Sequence, residues 1–385
     1  MKERRYDIDW LRALATFGIF FFHCARFFDT GVWHLKNAKQ SVVVTVFVGF
    51  FDMWEMPIFF LLSGVGAWYS LRSKVGGRYL FERVKRLLIP LYTVGVFILL
   101  PPQLYIELVT NSGYSGSLWR LVPSFWDSGN GFRFRLNWPL LTNIWPAHLW
   151  FLQFLFLISL LLLPLLLYLK SESGQRVIER VAGWCDRRGG IFLFLIPLAL
   201  VRIGLRGFSQ EYLSWAALAY YAVFFLIGYV IAADRRFTES YKRHGWVFLV
   251  LGLLAYGGEG VLMFGLGYRY PGPEYFSWTY VLFNMVMSIG NFCWVMFIMS
   301  LGAKHLNFNN KVLAYSGEMV LPFYILHQTI ILLVGWYVIP LNLPILLKYL
   351  IISPISFLLI IALYELLIKR VNAIRFLFGM RSKQK

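Results

Sequence analysis

The chain has 385 residues, of which 59% are hydrophobic, 19% aromatic and only 15% charged. A water-soluble domain carries nearer a quarter charged residues, so this composition excludes an ordinary soluble protein and points to lipid as the solvent. The net charge of +18 sits in short basic segments between apolar runs, which excludes a nucleic-acid-binding face and reads instead as an orientation signal.

Runs of a length that spans a bilayer predict an all-α, polytopic membrane protein of about ten transmembrane helices. The first, 9–28, follows Lys2, Arg4 and Arg5 but is too long for a signal peptide and has no small-x-small cleavage site. It is expected to be retained. The second, 42–71, is long for one span, with Ser41 to Phe51 expected at the interface and the true span starting near Glu55. The third, 88–109, leads into an extracytoplasmic loop of about 110–146, where Trp119, Trp126, Trp138 and Trp145 accompany Arg120, Arg133 and Arg135. These tryptophans read either as interfacial anchors or as platforms for sugar rings, with the arginines addressing hydroxyls or an anion. The remaining runs are 147–169, 190–206, 215–233, 246–266, 276–302, 315–339 and 345–368. The whole chain, 1–385, reads as one membrane domain. No repeat of fixed period stands out, and Cys24, Cys185 and Cys293 have no metal-ligand spacing, so no metal is expected.

Of the 37 Lys and Arg, 26 fall in the two tails and the loops after even-numbered spans, and 9 in the alternate loops and the span ends beside them. That bias predicts both termini in the cytoplasm and places the protein in the cytoplasmic (inner) membrane as a multi-pass protein.

Ionisable groups inside a bilayer are costly and mark candidate sites. Arg12 and His23 lie eleven residues apart, about three helical turns plus 20°, so they share one face about 16 Å apart along the axis. The plainer alternative pairs Arg12 with Asp9 and makes His23 a satisfied contact between helices. Arg202 and Glu259 are expected to form a structural ion pair, and Ser63–Gly64 a small-residue helix contact.

The stretch RYDIDWLRALATFGIFFFH (Arg5 to His23) resembles the opening of the acyltransferase 3 family of integral-membrane acyltransferases, with its Arg and His separated by ten intervening residues in the first span. Four further segments resemble family signatures in order: MPIFFLLSG (Met56 to Gly64), RYLFERVKRLLIPLY (Arg78 to Tyr92), HLWFL (His148 to Leu152) and LPFYILHQTI (Leu321 to Ile330). FFDTGVWHLKN (Phe27 to Asn37) is most similar to the glucan-biosynthesis, glucan succinyltransferase-like branch.

The resemblance implies a membrane O-acyltransferase that moves an acetyl or succinyl group from cytoplasmic acyl-CoA to a hydroxyl of an extracytoplasmic carbohydrate. No permanently bound cofactor is expected, acyl-CoA serving as donor substrate, and membrane lipid surrounds the chain. His23 would be general base or transient acyl carrier, held by Asp52 or Glu55. Arg12, Arg83, Arg86 and Lys85 would meet the CoA phosphates, although the last three are equally explained as positive-inside charge. His327 would bind donor or hold two helices together. His148, beside Trp150, is a candidate acceptor contact along with Arg133 and Arg135. Many members carry a fused SGNH hydrolase-like domain; none is seen in these 385 residues, so a second transfer step is expected to need another protein. A transporter or flippase for a lipid-linked sugar is the competing class, and it predicts broken helices and internal symmetry.

Overall fold

The computed structural model describes residues 4–121, 146–207, 213–267 and 275–382, and every regular element among them is helical. In chain order the helices are α1 (Tyr6–Ala25), α2 (Val42–Ser73), α3 (Gly76–Asn111), α4 (Ala147–Leu161), α5 (Leu163–Lys170), α6 (Glu172–Asp186), α7 (Gly190–Leu205), α8 (Trp215–Ile231), α9 (Arg235–Arg243), α10 (Gly245–Gly265), α11 (Trp278–His305), α12 (Lys311–Val338), α13 (Ile345–Ile368) and α14 (Asn372–Leu377). Seven of these, α1–α3 and α10–α13, are long and apolar enough to cross a membrane. The pairs α4–α5 and α8–α9, bent by 55° and 110°, bring the number among the described residues to as many as nine if each pair is one span. The expected fifth span is α7, which is apolar but shorter than a spanning helix. The second run forms one continuous 32-residue helix, α2, which includes most of the piece expected at the interface.

In lipid every backbone amide must find its partner within the protein, so the prolines decide where these helices deform. Pro57, Pro322 and Pro354 sit inside α2, α12 and α13. In α3, Pro90 cannot donate, and the hydrogen bonding widens to π-helix over Val84–Leu88 and Leu91–Leu99 on either side of it. Thr93 Oγ1 donates to the Ile89 carbonyl at 2.6 Å, satisfying an acceptor next to that break. Pro164 opens α5, where the backbone turns away from α4. Asp234 caps α9 by accepting from the Arg236 amide at 2.8 Å.

The chain divides into two compact units. The first holds Met1–Ala15, Asp52–Leu80 and Leu157–Leu313. Here α2 and α8 touch backbone to backbone: a Cβ added at Gly64 would lie 1.9 Å from the Phe225 carbonyl oxygen, and one at Gly228 would lie 1.9 Å from that of Leu61. That is the small-residue contact expected of Ser63–Gly64.

The second unit holds Thr16–Phe51, Phe81–Phe156 and Ala314–Lys385. Phe17, Phe20, Phe323 and Phe357 form its aromatic core, with ring centroids 5.3 to 5.9 Å apart. The α1–α2 connection contains no helix but is tied down. The buried Asp29 carboxylate takes both Arg26 and Lys36, and Lys348 Nζ donates to Asn37 Oδ1 at 2.7 Å and to the Ile339 carbonyl at 2.6 Å. Burial pulls the Lys36 ammonium below its ordinary value, and the hydrogen bond to Asp29 works against that shift. Among the spans α12 is the most enclosed, with 72% of its most apolar window buried against 22% for α10.

Candidate functional site

Three histidines meet in the second unit. His23 lies in the last turn of α1, His327 in the middle of α12, and His148 in the 3-10 turn that opens α4. Their relative exposures are 9%, 0% and 6%. The His23 and His327 ring centroids are 4.9 Å apart, and those of His327 and His148 are 5.0 Å apart.

Backbone carbonyls fix the tautomers, because a carbonyl only accepts. His23 Nδ1 lies 2.9 Å from the Ile19 carbonyl oxygen and 3.2 Å from His327 Nε2. His327 Nδ1 lies 2.6 Å from the Tyr324 carbonyl oxygen, so it carries the proton and Nε2 is the lone pair that accepts from His23. His23 is therefore protonated on Nδ1, and its Nε2 is a basic nitrogen with no partner among the described residues. His148 Nε2 donates to the Ile325 carbonyl at 3.0 Å, which leaves Nδ1 as a lone pair, buried and without a hydrogen-bond partner.

A second polar chain braces α12 one residue further on. His34, in the α1–α2 connection, sets Nδ1 2.6 Å from Glu107 Oε2. Gln328 Nε2 donates to His34 Nε2 and to Gln103 Oε1, both at 3.0 Å; Gln103 Nε2 donates to Thr329 Oγ1 at 2.7 Å, and Thr329 Oγ1 donates to the Leu99 carbonyl at 3.2 Å. Three consecutive α12 residues, His327, Gln328 and Thr329, are thus each bonded to a neighbouring segment, so the helix cannot slide or rotate without breaking several of these bonds. Trp33 stands between the two chains, its ring 6.1 Å from His23 and 5.8 Å from His34.

The first unit contains a cavity of about 500 Å³ at the start of α1, lined by Arg4, Arg5, Arg12 and Arg72 together with Asp9 and Tyr69. Arg5 is anchored by Asp7 at 2.7 Å and by Tyr241 at 2.9 Å. Arg12 Nη1 lies 3.4 Å from Asp9 Oδ1, the contact of the plainer reading, and it faces the cavity as well. Four guanidiniums against one carboxylate make the wall strongly cationic, and planar forks of this kind suit phosphate oxygens.

The other anticipated residues distribute unevenly. Arg83, Lys85 and Arg86 belong to the second unit and do not line this cavity; Lys85 lies 4.3 Å over the Phe81 ring. Asp52 and Glu55 belong to the first unit; Glu55 is buried with Oε1 unpartnered, while the described hydrogen bonds of the His23 ring go to Ile19 and His327. Arg202 does not pair with Glu259. It donates to Asn284 and Asn291 at 3.3 and 3.2 Å and lies 5.1 Å over the Tyr220 ring, because amide oxygens accept without the cost of a second buried charge. Trp150 is buried against Phe154. Arg133 and Arg135, with Trp126, Trp138 and Trp145, lie outside the described residues. Sequence reasoning passed over His34, Gln103, Gln328 and Thr329. The signal was there in the run of three polar residues, HQT, inside an apolar span.

Comparison with known proteins identifies the family. The chain is 23% identical over 357 residues to glucans biosynthesis protein C of Escherichia coli (strain SMS-3-5 / SECEC), covering 88% of this chain and 85% of that one. The protein of the same name from Salmonella agona (strain SL483) is 23% identical over 351 residues, with the same coverage. No solved structure matches the chain. A family model described as an acyltransferase domain matches residues 5–365, and the chain is accordingly a multi-pass membrane protein belonging to the acyltransferase 3 family.

Proposed function

We propose that the protein transfers an acetyl or succinyl group from cytoplasmic acyl-CoA to a hydroxyl of an extracytoplasmic carbohydrate, a glucan by analogy with the name of its relatives. The observation that carries this reading is the His23 imidazole, buried in an apolar protein, with Nδ1–H pinned by Ile19 and His327 and Nε2 left as a base. In the reaction, Nε2 removes the hydroxyl proton as oxygen attacks the thioester carbon, the C–S bond breaks, and the thiolate leaves to be protonated. The imidazolium formed meanwhile keeps its Nδ1–H on two acceptors, so its charge is stabilised where it arises. The cavity lined by Arg4, Arg5, Arg12 and Arg72 suits the phosphates of CoA, and the Arg83, Lys85 and Arg86 segment is a separate basic stretch proposed for the donor.

Mass spectrometry of surface and periplasmic glycans from cells carrying His23→Ala tests the reading. Loss of the acyl substituent at unchanged membrane levels of the protein is expected, a fall of at least about a hundredfold for removal of a general base. Acylation equal to wild type would overturn it.

A further inference from the structure

The histidine array has two ends, and the chemistry above uses one of them. At the other, His148 is 6% exposed and its Nδ1 has no hydrogen-bond partner. A buried acceptor left unmade is costly, and it persists only when something else fixes the group in place. That something is visible here. Nε2–H is committed to the Ile325 carbonyl, the Tyr324 hydroxyl donates to the carbonyl of His148 itself, and Ala147 is held at φ 44°, a backbone conformation rare outside glycine. Gly95 of α3 makes room for the same turn, since a Cβ there would lie 2.6 Å from Leu149 Cδ1. Strain, two hydrogen bonds and a glycine seat all hold the ring in a pose whose only unsatisfied atom is a lone pair.

We infer that His148 Nδ1 is a specificity contact that accepts a hydrogen bond from a second hydroxyl of the acyl acceptor, while His23 Nε2 takes the proton of the reacting one. The inference rests on the acyltransferase reading and adds the feature of the acceptor that is selected: a polyol with a further hydroxyl near the one acylated. A neutral O–H suits the site, because an ammonium would have to be stripped of water to reach it. His23 and His148 both pack against His327, with centroids 4.9 and 5.0 Å from its ring, so one acceptor unit with its substituents is asked to bridge two successive ring contacts. Trp33, partly exposed and 6.1 Å from His23, offers the flat apolar surface that a sugar ring stacks on. The amide N–H groups of the CoA arm are the other source of a neutral donor, and the experiment separates them from the acceptor.

The test uses the full-length protein in nanodiscs, with acetyl-CoA and succinyl-CoA as donors and a glucose oligosaccharide or its singly deoxygenated analogues as acceptors. Wild type should use at least one deoxy analogue, in which the reacting hydroxyl is intact, roughly tenfold or more less efficiently in kcat/KM. His148→Phe should abolish that discrimination and raise KM for the acceptor well beyond any change in KM for acyl-CoA. His148→Asn, whose side-chain oxygen also accepts, should restore part of the discrimination. Discrimination retained in His148→Phe, a rise in KM for acyl-CoA instead, or parallel loss of hydrolysis and transfer would each overturn the inference and leave the reading of His23 intact. Absence of any transfer by wild type would remove that reading itself.

Discussion

At the scale of single residues, the site depends on which imidazole nitrogen holds a proton, and the protein sets this with carbonyls rather than charges. In the proposed reaction His327 serves His23 as a neutral acceptor, the part a carboxylate plays in other hydrolytic and transfer sites, without burying a second charge. His327→Gln retains an oxygen that can accept from Nδ1–H and is expected to keep measurable acylation. His327→Leu should lower kcat by about a hundredfold with little change in KM. Equal kcat for the two variants, measured by acyl transfer in nanodiscs, would show that the hydrogen bond is immaterial. The cationic cavity makes a different prediction. Arg12→Gln combined with Arg72→Gln should raise KM for acyl-CoA by about tenfold or more, each guanidinium–phosphate contact being a charge-assisted bond. Free CoA should then inhibit less well. Unaltered KM and inhibition would detach the cavity from the donor.

At the scale of helices, the fold rests on a few places where no side chain fits. Gly64→Ala drives a methyl to 1.9 Å from the Phe225 carbonyl and should cost about 1–3 kcal/mol or more as α2 and α8 are forced apart. Gly317→Ala, in α12 with nothing within 4 Å, should instead be neutral or stabilise by about 0.5–1 kcal/mol. Thermal unfolding in detergent should show a lowered midpoint for Gly64→Ala and no lowering for Gly317→Ala. The helices themselves were legible in the sequence, since runs of apolar residues have one meaning in lipid. What resisted reading was where a run bends or falls short. The 110° turn between α8 and α9 and the reduced length of α7 depend on local capping and packing that hydropathy does not register. Arg12 and His23 stood out as candidates in the sequence because ionisable groups are rare within spans. Gln103, Gln328 and Thr329 are uncharged, and only their pairing across segments shows what they do.

For the molecule as a whole, the basic residues of the tails and alternate loops predict that both ends face the cytoplasm. Reporters fused to the N- and C-termini should both be active if cytoplasmic and silent if periplasmic; opposite sides for the two ends would imply an odd number of crossings. The composition announced a membrane protein and the ordered motifs its family, while the assembly of the histidines came from residues about 300 positions apart, which no local pattern reveals.

The order of synthesis gives the bracing of α12 one more consequence. His23, His34, Gln103 and His148 are made before residue 311, and each takes a hydrogen bond from, or gives one to, α12. Until that late segment arrives, the nascent protein holds several polar groups in or near lipid without the counterpart they end up with. A ribosome-bound intermediate stopped short of α12 should therefore be an unstable, protease-sensitive guest of the insertion machinery, and the arrival of one helix should convert it abruptly into a settled protein.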